Sequence, residues 1–295
     1  MARANKNKEA AVGSQNRTVS PNEAKSALTH CIKLQRPIMM WGAPGIGKSD
    51  IVKQIADAEG RDVIDIRLPL WEPTDIKGIP YYNSKENNMV WASPAELPTD
   101  PKSNAIVFLD ELNSAAPAVQ AAAYQLILNR RVGQYVLPEG VAIVAAGNRD
   151  SDKGVTYRMP APLANRFVHI ELRVDYDDWL QWATDRKIHA DVVGYCTFAK
   201  QDLYDFDPKG SSRSFATPRS WSFVSQLLSD DLPESTLTDL VAGCVGEGLA
   251  VKFMNHRKVS GQLPNPSDIL SGKVKDLKTK EISAMYSLTV SLCYE

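Results

Sequence analysis

Cysteine is scarce and unclustered in this sequence. Cys31, Cys196, Cys244 and Cys293 form no C-x-x-C pair, and none of the four histidines stands at metal-ligand spacing from them. This excludes a cysteine-built zinc module and a disulfide-stapled mini-domain. The thiols are expected to be reduced and mostly buried, as in a cytoplasmic protein. Long apolar runs are also missing: no stretch reaches the ~18 residues that a membrane-spanning helix needs. Residues 1–17 are polar, carry Arg3, Lys6, Lys8 and Arg17, and lack the apolar segment of a secretory signal. Residues 1–20 are expected to form a disordered tail, with a nucleic-acid arm the less favoured reading. Neither basic nor acidic residues predominate. Lys and Arg number 34 against 35 Asp and Glu, so no whole-chain field draws the protein to nucleic acid or membrane. No internal repeat and no long low-complexity segment is present.

What remains is an ordinary globular composition, 43% hydrophobic over 295 residues, enough for about two domains. Short apolar runs bounded by turn residues suit buried parallel strands at 37–41, 63–67, 105–109, 141–146 and 167–172. Between them lie amphipathic stretches that read as helices at 22–34, 49–59 and 117–130. Ser20 or Asn22 is the expected cap of the first, and Ser114 of the third. Strands alternating with helices imply an α/β parallel sheet over 21–172. The stretch 68–98 breaks this rhythm with Pro, Gly, Asn and aromatics, and is expected to hold a hairpin insert. A second hairpin is expected around Gly133, within 131–140. Beyond residue 172 only helical patterns recur. One is capped by Asp177 or Asp178, one starts at Thr217-Pro218, and one runs over 237–255. Residues 173–295 are therefore read as a smaller helical domain.

Gly42, Ala43, Pro44, Gly45, Ile46, Gly47, Lys48 and Ser49 fit G-x-x-x-x-G-K-[ST] between a strand and a helix. The glycines let the backbone approach phosphate oxygens, and successive N–H groups with the helix N-terminus bind them. Lys48 can reach the β- and γ-phosphates, and the Ser49 hydroxyl can bind Mg²⁺. Asp110 and Glu111 end the third strand. Ligands in parallel sheets sit beyond the carboxyl ends of strands, so both carboxylates should overlook the phosphate loop. Asp110 then suits the metal, and Glu111 suits orienting and deprotonating the attacking water. ATP and Mg²⁺ are the implied cofactors.

On these motifs the sequence resembles the AAA+ ATPases, and among them the MoxR-like and dynein-related branch. The resemblance runs over about 37–167. The phosphate loop and Leu109-Asp110-Glu111-Leu112-Asn113 are similar to the family's Walker A and Walker B. Leu163-Ala164-Asn165-Arg166-Phe167 is similar to its arginine-finger segment. The resemblance implies a P-loop NTPase αβα sandwich followed by a helical lid. It implies Asn148 as sensor 1, Arg166 as a finger reaching a neighbouring subunit's ATP, and Arg219 as sensor 2, with Arg213 the rival. Two positions depart from the pattern: Asn165 stands where the family often has Asp, and Ser114 where it often has Arg. The insert at 68–98 lies where this branch carries an extra hairpin. Tyr81, Tyr82, Met89 and Trp91 would either grip a polypeptide or pack the hairpin onto its own domain.

The expected function is a ring-forming, homo-oligomeric (hexameric) ATPase that remodels or activates a protein partner. A slow-turnover scaffold or chelatase-type motor subunit, working with a von Willebrand A-type partner, is the alternative from another class. A DNA-directed ATPase is a third, disfavoured by the balanced charge.

Overall fold

The computed structural model describes residues 17–152, 156–230, 232–260 and 266–274, with further positions at 282, 285, 288, 289 and 292. In chain order the elements are β1 (Thr18–Val19), α1 (Pro21–Lys33), β2 (Ile38–Trp41), α2 (Lys48–Glu59), β3 (Val63–Arg67), α3 (Pro73–Lys77), β4 (Ile79–Asn83), β5 (Asn88–Ala92) and β6 (Ile106–Asp110). They continue with α4 (Pro117–Asn129), β7 (Arg131–Val132), β8 (Tyr135–Val136), β9 (Ala142–Gly147), α5 (Ala161–Ala164) and β10 (Val168–Leu172). Helices alone follow: α6 (Tyr176–Asp185), α7 (Ala190–Phe198), α8 (Pro218–Leu227), α9 (Glu234–Val245), α10 (Glu247–Ser260) and α11 (Pro266–Leu270).

Six strands form one sheet in the order β1-β10-β2-β9-β6-β3, every neighbouring pair parallel. Its strands are apolar without a break because helices cover both faces, and alternate residues supply each side. Ile38, Met40, Ile106, Phe108, Val144 and Ala146 pack toward α1 and α2. Met39, Val107, Leu109, Ile143 and Ala145 pack toward α4 and the β7–β8 hairpin. A third cluster, built on Trp221, Tyr195 and Phe253, holds the later helices together. This is the expected sandwich of a P-loop NTPase with a helical C-terminal region.

Four local expectations fail and one open choice is resolved, each for an identifiable reason. Thr18–Val19 pairs with β10 inside the stretch expected as tail, most of which lies outside the described residues. Of the two candidate caps of α1, Ser20 is the one used, in a capping box with Glu23 and Pro21 at the first position. Pro117 fixes the start of α4, so the cap position falls at Ala116 and Ser114 lies in a separate short 3₁₀ turn. The helix with Trp179 and Trp182 is capped by Asp175, whose carboxylate accepts from the Asp178 N–H. The 237–255 run is two helices, because Gly246 turns the chain at φ 94°.

The insert at 68–98 contains α3 and the antiparallel β4–β5 hairpin. Tyr81, Tyr82 and Met89 are exposed on it. Trp91 is half-buried, and its N–H donates to Gln134 Oε1 (3.3 Å) in the turn between β7 and β8, so the two hairpins touch. Cys31 and Cys196 are buried and Cys244 half-buried; Cys293 lies outside the described residues. No helix among the described residues is long and apolar enough to cross a membrane.

Phe108 is 1% exposed in the middle of β6. Phe108→Ala should cost about 3–5 kcal/mol in chemical denaturation. Tyr82→Ser, on the exposed hairpin, should stay within about 0.5 kcal/mol of the parent.

Candidate nucleotide site

β2 ends at Trp41 and the chain turns at once, with the Gly42 N–H donating to the Gly147 carbonyl on β9 (3.2 Å). Gly45 and Gly47 have φ of 75° and 94°, a region that side chains strain to adopt. Gly45 also has no room: a Cβ there would lie 2.7 Å from Thr217 Oγ1. Gly47 precedes α2 without a side-chain cap, leaving that helix's first N–H groups directed at the loop.

Lys48 opens α2 and is 9% exposed. Its ammonium donates to the Gly42 carbonyl (2.6 Å), the Ala43 carbonyl (2.9 Å) and Asn148 Oδ1 (3.2 Å). All three donors are thereby engaged. Burial pushes this lysine down to about 8, while Asp110 and Asp152 pull upward and Arg219 adds to the depression.

The register of the sheet carries β6 to the same edge. Ser49 Oγ donates to Asp110 Oδ2 (3.4 Å), and Asp110 Oδ1 accepts from the Glu111 N–H (2.9 Å). Glu111 sits at φ 55° and is exposed. Among the described residues its carboxylate accepts no hydrogen bond.

Asn148 follows β9 and is clamped by Asn113. The Asn113 amide donates to the Asn148 carbonyl (2.8 Å), and its Oδ1 accepts the Asn148 N–H (3.2 Å). In the sequence Asn113, 1% exposed, is visible only as part of a motif; its clamping role is not. Next to it, Arg149 grips Asp152 (2.9 Å) and Glu171 (3.1 Å), tying the loop after β9 to β10.

Thr217 caps α8 in a box with Ser220, and Pro218 takes the first position. The Arg219 N–H donates to the Gly45 carbonyl (3.2 Å), which seats this helix start on the phosphate loop. The Arg219 side chain lines a cavity of about 410 Å³ together with Gly45, Gly47, Ser49, Trp179 and Phe223; Arg213 does not line it.

Arg166 is not brought to this cluster. Its exposed side chain makes no ion pair among the described residues, and its N–H donates to Leu163 at the end of α5. It precedes β10, whose Val168 is level with Ile38 at the start of β2, whereas the phosphate loop follows Trp41 at the other end. Parallel strands rise ~3.3 Å per residue, so about 10 Å or more of sheet separates Arg166 from the loop.

The depressed lysine gives a sign-definite expectation. Triphosphate beside Lys48 favours the ammonium, so at pH 8–9 ATP binding should take up protons. Calorimetry in buffers of different ionisation enthalpy would read this as a buffer-dependent heat, and Lys48→Met should abolish it. Stability runs the other way: the neutral amine is the form that burial favours. This penalty should therefore ease as pH rises from about 8 toward the ~10.4 of a free lysine.

Residues 37–169 match the sequence profile of the ATPase family associated with various cellular activities (AAA). Midasin of Giardia intestinalis is 30% identical over 175 residues, which are 55% of this chain and 4% of that protein. The chain thus spans a small fraction of the length of this relative. Among solved structures, the Thermotoga maritima RuvB Holliday junction branch migration motor is 16% identical, covering 93% of this chain and 81% of its own, at a TM-score of 0.42. A candidate ATPase from Cytophaga hutchinsonii is 19% identical, with coverages of 75% and 62% and a TM-score of 0.42. The phosphate loop and the strand-end carboxylates of Asp110 and Glu111 both fall within the segment 37–169 that is similar to this ATPase family.

Proposed function

We propose that the protein belongs to the MoxR-like, dynein-related branch, assembles into a homomeric hexameric ring and hydrolyses ATP between subunits to remodel or activate a protein partner. The single observation that carries this reading is the separation of its chemistry. Lys48, Ser49, Asp110, Asn148 and Arg219 gather at one end of the sheet, while Arg166 projects, exposed, from the other. A finger that cannot reach its own nucleotide suits a neighbour's.

In this reading the amides of residues 42–49 and the Lys48 ammonium bind the phosphates. Asn148, fixed by Asn113, orients the attacking water or the γ-phosphate. Glu111, exposed and with a carboxylate that accepts no hydrogen bond among the described residues, accepts the water's proton. Arg219 and the neighbour's Arg166 stabilise charge that develops on the transferring group. Ser49 and Asp110 present adjacent oxygens of the kind Mg²⁺ prefers, and these two would hold it. The ion supplies charge neutralisation on the phosphates. Residues 173–295 act as the lid, and the exposed Tyr81, Tyr82 and Met89 contact the partner polypeptide.

Glu111→Gln and Arg166→Ala should each lower kcat at least about a hundredfold while ATP still binds. Mixed in one ring, the two should recover activity, since some interfaces then pair an intact site with an intact finger. Mixed assemblies that stay inactive at every ratio would refute the shared site. A wild-type ring that hydrolyses ATP near the uncatalysed rate would replace the motor with a nucleotide-dependent scaffold.

A further inference from the structure

Trp41 and His169 make an arrangement that the chemistry above leaves unused. Trp41 is the last residue of β2 before the phosphate loop. Its indole Nε1 donates to His169 Nδ1 on β10 (2.9 Å), and the two rings stack at 6.0 Å with planes 17° apart. Because Nδ1 accepts this bond, the ring proton of a neutral His169 resides on Nε2. That nitrogen then donates to the carbonyl of Ala164 (2.7 Å), the last residue of α5. Phe167, 8% exposed, closes the turn edge-on against the same imidazole (6.2 Å). Arg166 stands between Ala164 and Phe167, both of which His169 holds.

We propose that Trp41 and His169 form a link that sets Arg166 against the neighbouring subunit's nucleotide. His169 is a positioning residue acting through Arg166, and the inference rests on the reading of Arg166 as a finger in trans. The link starts one residue from the phosphate loop and ends two residues from the finger. It crosses the sheet that separates the two through side chains, where backbone alone would impose the register of β2 and β10. A displacement of Gly42 on binding or release of phosphate is thus carried to the turn that presents Arg166.

Complementation in mixed rings assigns the defect to one side of the interface. His169→Leu removes both hydrogen bonds. Its homomeric ring should bind ATP with unchanged affinity and lose between about ten- and a hundredfold in kcat, the scale of a misplaced catalytic group. Mixed with Glu111→Gln subunits, whose fingers are intact, His169→Leu subunits should recover activity. Mixed with Arg166→Ala subunits they should not, because every finger is then impaired. Recovery with Arg166→Ala and none with Glu111→Gln would mean that His169 serves its own phosphate loop, and would overturn the proposal. His169→Gln, which keeps a donor and an acceptor, should restore part of kcat. If His169→Leu fails to fold, Trp41→Phe deletes the first bond and keeps a ring. It should then recover beside Glu111→Gln and not beside Arg166→Ala, and the reverse pattern would again overturn the link. The Glu111→Gln and Arg166→Ala mixture is the control. Its failure refutes the shared site itself, whereas its success with the wrong His169 pattern refutes only the link.

Discussion

A buried ammonium organises the candidate nucleotide site. A lysine with 9% of its surface exposed costs folding energy unless each of its donors is met. Lys48 meets them with two carbonyls of the loop that precedes it and one amide oxygen from the end of β9. The loop is therefore drawn around its own lysine. Asn148 is fixed in turn by Asn113, and Asp110 by Ser49 and its own neighbour's N–H. The sheet supplies the frame: β2, β9 and β6 are adjacent and parallel, so their carboxyl ends open on one edge. Three segments far apart in sequence reach the same few ångströms because one register holds them.

Much of this is legible from the chain alone, and the parts that are not share a cause. The phosphate loop, the acidic strand end and the buried strands are local patterns in which residue types follow directly from geometry. Thr217 with Pro218 announces a helix start, and the capping box with Ser220 is there. What escapes depends on pairing across the fold. Thr18–Val19 is too short for any periodicity to register, and becomes a strand only because β10 lies beside it. Gly246 lies in an apolar run that reads as one helix, yet it adopts a positive φ and splits the run in two. Asn113 and Asn148 find each other, as do Trp41 and His169, over separations that no spacing rule covers.

The helical region joins the site at one point of close approach. Thr217 occupies the space that a side chain on Gly45 would need, and the Arg219 N–H uses the Gly45 carbonyl. The start of α8 and the phosphate loop are thus shaped against each other. Arg219 is left to line the cavity, and its charge adds to the downward pull on Lys48 that burial begins.

Glu111 sits in the left-handed region at φ 55°, where Gly or Asn is more comfortable. Holding a glutamate there costs on the order of 1 kcal/mol or more. Selection for thermal robustness alone would be drawn to replace it and would discard the carboxylate. If Glu111 is the base proposed above, its presence marks a compromise in which durability has been conceded to reactivity at one backbone torsion.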